Sequence, residues 1–582
     1  MSAAEMKKDL LEALENDDFF DVVILLYRKE LHSDFKCISQ VLSELHNEFL
    51  VDLNEKFRGI SCEGFQHDFF MLMHVYEATL PMMECSTSDV IKCTCELLEQ
   101  AGNDLSIGGL FGSFSEFCKV DAQRGKEALD FILSDAEKYS LLASRALVAS
   151  SEYDPEWGLA QAANLMEHEN TSIIWQAYSA IGLMQLREDK HIESAISLLE
   201  RSVEIRRDDT ANAGILRAAI SLGRKDNFFW NRVNRLLGKV LGSVQPVLLY
   251  EVSHILAFNS NDFPEEIVCL LVHYLKNTPH DHKGTLDNID HVLVNLQKAN
   301  RFDQAEELLE SVLSNHSELT INFFDYFSHE LQAEHKEFFN KLVTKWLLSG
   351  KPNLCRAVLD LLSNGNGKDV ELCADMTLVG DSDLKLLFVA RKSIGWLFTL
   401  PVSSASFILS LYSYASPNMK KELEDLLFEP LLISYTGELG RYLEGLCEES
   451  TLEVQSVAFQ LLARLEFYFD GLKGACKIKE LRAPQKNIEH YWKDFNRKMQ
   501  HARDNGPKSF FEDMCTVQHL LYGTSSIYYM VDSTGEQRRA ETEMQSFSYS
   551  SEVPRLNVID PEGLDYLLRM FRAGEIRYEV NS

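Results

Sequence analysis

The side chains best suited to bind a metal ion stand close together near the middle of the chain. They are His280, Asp281, His282, Asp287, Asp290 and His291. Imidazole and carboxylate groups are ligands that zinc takes in proteins. Asp287 and Asp290 also suit the start of a helix predicted over residues 291–298, where negative charge favours the positive end of the helix dipole. We therefore predict a loop between two helical segments here, and no bound metal.

Cys85, Cys93 and Cys95 form the one close group among 12 cysteines. A structural zinc site usually draws its ligands from paired Cys-x-x-Cys spacings, whereas this group has one Cys-x-Cys and an outlier. Scattered cysteines in a long chain are typical of reduced thiols and not of a disulfide framework. We predict thiols that are buried or half-exposed.

The common catalytic motifs are missing from the sequence. The glycine-rich residues 107–113 lack the Lys-Ser/Thr ending of a phosphate-binding loop. There is no Gly-x-Ser-x-Gly and no His-Glu-x-x-His. With 12 cysteines and 17 histidines, many nucleophile–base pairs can be drawn and none is singled out. We expect a protein that is not an enzyme, with no cofactor and no small-molecule substrate.

An enzyme with a dispersed site remains an alternative. His519, Tyr522, Tyr528 and Asp532 are polar groups near the C-terminus that a folded module could bring together. Their spacing does not require it.

A cluster of basic residues lies at 477–503 and includes Tyr491, Trp492 and Phe495. Basic side chains interleaved with aromatic ones can bind single-stranded RNA. Acidic residues such as Glu489 and Asp494 dilute this charge. We expect a solvated helix face, or an intramolecular partner for the acidic helices.

The net charge of the chain narrows its possible partners. The 582 residues include 89 acidic and 57 basic ones, which gives a net charge of −32. Such a chain repels phosphate backbones, so we do not expect nucleic acid as a partner. A protein partner with a basic surface fits better, because complementary charge speeds encounter. No stretch is typical of a secretory signal or a membrane span, so we expect a cytoplasmic protein without membrane contact.

A repeated pattern organises the elements that carry these residues. Ala195, three and four residues before Leu198 and Leu199, has a counterpart in Ala305 with Leu308 and Leu309. The register continues through six positions, with spacings of 34, 33, 34, 37 and 39 residues: Ala128, Ala162, Ala195, Phe229, Glu266 and Ala305. A period of this length predicts stacked helix-turn-helix units, in which the small residue lies at the seam.

The pattern resembles the tetratricopeptide family over roughly residues 104–319. Units of that family have about 34 residues and an Ala at the close contact of the second helix. The first-helix motif is present only in pieces, such as Trp157, Trp175 and Gly182, which do not keep register. The resemblance implies a right-handed α-solenoid.

We predict a mostly α fold with four parts. A helical region at 1–103 precedes the solenoid at 104–320, and irregular helices follow at 321–474, where residues 452–469 resemble a HEAT repeat. A small α+β module is predicted at 475–582, with strands at 526–531, 544–550 and 556–559 and an edge strand at 575–580. A turn at 532–535 lies between the first two strands.

Met419 and Lys420 stand at a junction between an acidic helical body and the smaller C-terminal part. This outline resembles the protein substrate of the caspase-like protease in type III-E CRISPR systems. That resemblance implies cleavage near Met419-Lys420, which releases an N-terminal part that restrains a sigma factor in antiviral defence. The main prediction is a non-enzymatic scaffold or regulator, whose acidic helical-repeat surface binds a basic protein or peptide.

Overall fold

The protein is almost entirely helical in the residues that the structure describes. A computed structural model describes residues 3–16, 18–31, 37–66, 68–102, 104–205, 208–260, 262–315, 319–363, 370–481, 485–504, 525–531, 537–543 and 552–575. These residues fall into two compact units, Met1–Val312 and Leu313–Ser582. This division into two units does not test the predicted four parts of the chain, which stay a prediction.

The helices of the first unit follow one another with short connections. They are α1 (Ala3–Asn16), α2 (Phe19–Leu31), α3 (Ile38–Asn47), α4 (Leu53–Arg58), α5 (Cys62–Phe65), α6 (Asp68–Thr79), α7 (Thr87–Ala101), α8 (Gly108–Lys119), α9 (Ala122–Ser134), α10 (Ala136–Tyr139), α11 (Ala143–Ser151), α12 (Pro155–Met166), α13 (Thr171–Leu183), α14 (Asp189–Ile205), α15 (Asp209–Gly223), α16 (Trp230–Val240), α17 (Pro246–Phe258), α18 (Glu265–Leu275), α19 (Lys283–Lys298) and α20 (Phe302–Asn315). The last of these crosses the boundary between the units.

Local sequence signals explain where many of these helices begin. Asp154 precedes α12, and its carboxylate accepts a hydrogen bond from the Trp157 N–H (3.0 Å). Asp208 does the same for α15 by accepting from the Ala211 N–H (2.9 Å). Such caps satisfy backbone donors that have no partner within the helix.

From α11 to α20 the helices alternate between two layers. The first-helix layer consists of α11, α13, α15, α17 and α19, each of which contacts the next. The second-helix layer consists of α12, α14, α16, α18 and α20; the first four contact in turn, and Gln304 of α20 donates to Cys269 Sγ of α18 (3.1 Å). This is a stack of helical repeats, as the period predicts, and its right-handed sense stays a prediction.

Most of the repeat positions lie in the interior. Ala128, Ala162, Ala195 and Ala305 are fully buried. Phe229 is also buried, but it lies in the 3₁₀ turn Asn227–Phe229 that precedes α16. Leu199 is buried and Leu198 is half-buried.

Glu266 is the exception, because it is exposed on α18. Ile267 and Val268 are the buried residues there. Glu265 and Glu266 occupy the first turn of the helix, where negative charge is favourable. The seam in this repeat is therefore one or two residues later than predicted.

In its described residues, the second unit contains further helices and one two-stranded sheet. Its elements are α21 (Asp325–Glu334), α22 (Lys336–Ser349), α23 (Pro352–Ser363), α24 (Met376–Val379), α25 (Asp383–Leu397), α26 (Pro401–Tyr412), α27 (Pro417–Leu426), the π-helical Leu427–Leu432, α28 (Glu438–Glu449), α29 (Leu452–Ala475), α30 (Gln485–Asp504), β1 (Ser525–Val531), β2 (Gln537–Glu543), α31 (Arg555–Ile559) and α32 (Pro561–Ala573). The two strands pair antiparallel, with Tyr528 opposite Ala540.

The C-terminal strands differ from the prediction. β1 matches the strand predicted at 526–531, but it pairs with residues 537–543. The turn at 532–535, the strand predicted at 544–550 and all but the first residue of the one at 575–580 lie outside the described residues. Residues 556–559 were expected to be a strand and lie in α31, because the short apolar run belongs to a helix pair with α32.

A separate α+β module at 475–582 is not supported, because α32 packs on α25 of the same unit. Gly395 permits the close approach, since a Cβ there would lie 3.1 Å from the Arg572 backbone nitrogen. The buried Lys392 donates from Nζ to the Arg572 carbonyl near the end of α32. Glu552 accepts from the backbone N–H groups of Gly437 (2.8 Å) and Glu438 (2.7 Å) at the start of α28.

Candidate interaction surface

A groove crosses the first-helix layer of the first unit. Its volume is about 250 Å³, and its lining comes from α13, α15 and α17. Its principal side chains are Trp175, Tyr178, Arg217, Arg224, His254 and Asn259. Aromatic and arginine side chains are the types that dominate binding energy at protein interfaces.

Glycines form the floor of this groove. A Cβ on Gly214 would lie 2.8 Å from a ring carbon of Tyr178, and one on Gly182 would lie 3.3 Å from Ala218 Cα. A side chain at Gly214 would therefore overlap the Tyr178 ring, and one at Gly182 would push α15 away by a few tenths of an ångström. The groove therefore depends on the spacing that these two glycines permit.

Arg217 links the helices on either side of it. Its guanidinium lies 5.8 Å from the centre of the Trp175 ring, within the range of a cation–π contact. It also pairs with Glu251 of α17, with Nη2 donating to Oε1 at 2.9 Å. The Glu251 side chain is 8% exposed, so this carboxylate presents little charge to the groove.

A strip of rings continues the groove along α17 onto α19. The ring of His254 lies 6.1 Å from that of Tyr250 and 5.1 Å from that of Phe258. Phe258 in turn lies 5.4 Å from His291. Tyr250 and Phe258 are 44% and 54% exposed. Adjacent exposed aromatic rings of this kind mark a binding surface more often than isolated ones do.

Charge differs between the two layers. The first-helix layer carries four acidic and four basic residues, and the second-helix layer carries eleven acidic and five basic ones. Among the helices of this stack, the excess of negative charge therefore lies in the second-helix layer, and the charges of the first-helix layer balance.

The candidate metal ligands do not form a cluster. His280 and His282 lie between α18 and α19, as predicted for a loop. The following helix begins at Lys283 and not at His291, so Asp287 and Asp290 lie inside it. Among the described residues, no group of three or more His, Cys, Asp or Glu is arranged to hold a metal ion.

The three clustered cysteines are free thiols, as predicted. Cys93 is buried, and Cys85 and Cys95 are half-exposed. Burial raises the pKa of Cys85 to about 11 and the pKa values of Cys93 and Cys95 to about 12. Thiols with such pKa values stay protonated near neutral pH and are poor nucleophiles.

The enzyme alternative stays a prediction, because most of its residues lie outside the described part of the chain. Tyr528 lies in β1, and His519, Tyr522 and Asp532 lie outside the described residues. In the basic segment, Tyr491, Trp492 and Phe495 contact one another on α30.

Met419 and Lys420 lie in the first turn of α27. The Ser416 side chain caps this helix by accepting from the Met419 N–H (3.3 Å). Lys420 pairs with Glu453 and lies 5.1 Å from the centre of the Tyr412 ring. A protease that reads an extended segment would first have to unwind this turn. Cleavage here stays a prediction.

The groove was not predicted from the sequence, because its walls come from residues about one repeat apart and local patterns do not show that such residues lie together. The signal that could have found it is the set of glycines and aromatic residues at Gly182, Gly214, Trp175 and Tyr250, which stand in consecutive first helices.

Comparisons with known proteins give little further information. No protein-family model matches the chain, and no curated protein sequence matches it. One solved structure that aligns is a "Circular tandem repeat protein with novel repeat topology and enhanced subunit contact surfaces", with 14% identity, 84% of this chain and 99% of that chain covered, and a TM-score of 0.17. A TM-score this low supports no conclusion about this chain. Among the described residues, no helix is long and apolar enough to cross a membrane.

Proposed function

We propose that this protein is a non-enzymatic interaction scaffold, which holds a segment of another protein in the groove of the first-helix layer. The observation that supports it is the continuous set of Trp175, Arg217, His254 and exposed aromatic rings across consecutive helices. Helical stacks present extended surfaces of this kind to peptides and protein domains.

The chemistry of the groove suits a segment with apolar anchors. Tyr250 and Phe258 offer exposed ring faces, and Trp175 is held in place by Arg217. The rigid spacing of the helices would fix these rings before binding, which reduces the entropy that association costs.

The charge of the second-helix layer supports a partner with a basic surface. Its excess of acidic residues favours a partner that carries basic residues beside the segment in the groove. This retains the basic protein partner expected from the net charge, and assigns the attraction to the second-helix layer.

Site-specific photocrosslinking would test the proposal. A photoreactive phenylalanine analogue at position 258 of the full chain should crosslink one partner with a basic surface, in cells and with purified components. A second substitution, Tyr250→Asp, should abolish that crosslink. The matched control is Phe228, which is 75% exposed and outside the groove lining, so the analogue at 228 should not give the crosslink.

Salt dependence separates the two contributions. Because exposed charges are screened as ionic strength rises, the crosslink yield should fall in high salt if the acidic layer attracts the partner. An acidic partner, or a crosslink that persists in Tyr250→Asp, would contradict the proposal.

A further inference from the structure

A second apolar groove lies in the second unit, on the side of α29 and the residues just before α28. Its volume is about 390 Å³, and it is lined by Phe428, Arg464, Phe467, Tyr468, Gly471 and Leu472. Arg464 lies over the Phe428 ring at 4.0 Å and donates to Asp425 (2.6 Å), which holds one wall in place.

The groove is open in the described structure. Phe467 is 81% exposed, although it belongs to a 24-residue helix that is anchored by the buried residues Val457, Leu461 and Leu465. After Leu465 no residue of α29 is buried. A large aromatic side chain at a groove, uncovered on this scale, is typical of a surface that a partner covers.

The next helix, α30, presents a side chain cluster of matching chemistry. Tyr491, Trp492 and Phe495 lie on one face, with ring centres 5.5 to 6.3 Å apart. Trp492 is 54% exposed and Tyr491 is 47% exposed. The groove and the aromatic cluster are thus both open in the same chain.

The charges beside the two surfaces are opposite. After Leu465, α29 carries Glu466, Asp470 and Lys473, a net charge of −1, and Lys473 pairs with Asp470 (3.0 Å). Around the aromatic cluster, residues 489–498 of α30 carry two acidic and three basic residues, a net charge of +1. Complementary charge around an apolar contact fixes its orientation and disfavours other partners.

We propose that the aromatic cluster of α30 from a second copy of the chain fills this groove, and that the exchange is reciprocal. Each copy offers one groove and one cluster, so a two-fold arrangement satisfies both at once. A second copy is favoured because both complementary surfaces occur on one chain and neither covers the other within it. The inference is independent of the proposed scaffold function and of the groove at Trp175.

Sedimentation of the full-length protein over a range of concentrations tests the inference. The wild-type chain should form a dimer. Trp492→Asp should break the cluster and Phe467→Asp should break the groove. Each substitution removes an aromatic anchor from both contacts of the dimer, so each should weaken dimerisation by about thirtyfold or more. Phe228→Asp is the matched control, because Phe228 is an exposed aromatic residue of the other unit, and it should leave dimerisation unchanged.

A mixing experiment distinguishes this contact from any other interface. The two variants alone lack both contacts, whereas a mixture of them regains one, between the intact cluster of one chain and the intact groove of the other. The mixture should therefore dimerise more strongly than either variant alone and less strongly than the wild type.

Several outcomes would overturn the inference. These are a wild-type chain that stays monomeric at the highest concentration, a dimer that both variants leave intact, and a mixture that gains nothing. If the protein is monomeric and Trp492→Asp has a lower unfolding midpoint than the wild type, α30 of the same chain fills the groove. That result would also overturn the inference.

Discussion

Glycine is the residue on which the contact between neighbouring first helices depends. Gly214 faces the Tyr178 ring, and Gly182 faces the backbone of α15 at Ala218. Both positions lie inside helices, where glycine costs stability relative to alanine. The close approach offsets that cost, because buried surfaces packed without gaps gain contacts along the whole helix.

Gly214→Leu should destabilise the first unit by about 1–3 kcal/mol, because the new side chain would overlap the Tyr178 ring. Urea unfolding followed by circular dichroism measures the change. Gly238→Ala is the control, since nothing lies within 4 Å of a Cβ there, and it should stabilise the chain by roughly 0.5–1 kcal/mol. Equal effects from both substitutions would refute the steric explanation.

Buried thiols make the free energy of unfolding depend on pH in the alkaline range. Burial raises the pKa values of Cys93, Cys118 and Cys355 from 9.0 to about 12. The folded chain therefore holds these protons more tightly than the unfolded chain does. Their contribution to the free energy of unfolding is complete below about pH 9 and declines as the pH rises toward 12.

The urea midpoint should accordingly fall between about pH 9 and about pH 11, and Cys93→Ala should reduce the slope of that decline. Cys476→Ser, at an exposed cysteine, should leave the slope unchanged. If Cys93→Ala and the wild type show the same slope, the thiol at 93 does not contribute.

At the scale of elements, the last helix is held by a few long-range polar contacts. Lys392 of α25 donates to a carbonyl at the end of α32, where a positive charge also meets the negative end of the helix dipole. Burial lowers the pKa of Lys392. The Arg572 guanidinium returns a hydrogen bond from Nε to the Gly395 carbonyl (2.5 Å).

Lys392→Met should loosen α32, because the Arg572 carbonyl would lose its buried donor at a cost of about 1–3 kcal/mol. Hydrogen exchange of residues 561–573 should become faster than in the wild type. Lys385→Met, on the same helix, should leave that exchange unchanged. Unaltered protection of α32 in Lys392→Met would show that the Lys392 hydrogen bond does not contribute to holding it.

At the scale of the whole molecule, helices that are far apart in the sequence pack against each other in the second unit. α25 precedes Met419 in sequence, yet it packs on α32 and α27, which follow Ser416. A cut at Met419-Lys420 would therefore separate segments that remain in contact.

This leads to a prediction about processing. A recognition site for a specific protease, inserted between Asn418 and Met419, should allow complete cutting while both fragments still elute together on a size-exclusion column. The fragments should separate only in denaturant. The uncut inserted chain is the control for the insertion itself. Separation of the fragments in native buffer would contradict the prediction that the packing of α25 on α32 keeps them together.

The local pattern of the sequence determined the helical class, the alternating stack and most of its buried positions. Ala162, Ala195 and Ala305 could be placed because a small residue followed by a Leu or Met pair repeats at nearly constant spacing. Where the spacing drifts, at Glu266, the pattern failed by one or two residues, because the acidic first turn displaced the seam.

Only the tertiary structure decided which residues meet across long separations. The groove at Trp175 needs three helices one repeat apart, and the docking of α32 joins residues 392 and 572. Local periodicity reports which face of a helix is buried, but not which distant segment covers it. The alternating pattern around Tyr528 correctly predicted a strand. Residues 556–559 were wrongly predicted as a strand, because the short apolar run does not show that its packing partner is a helix.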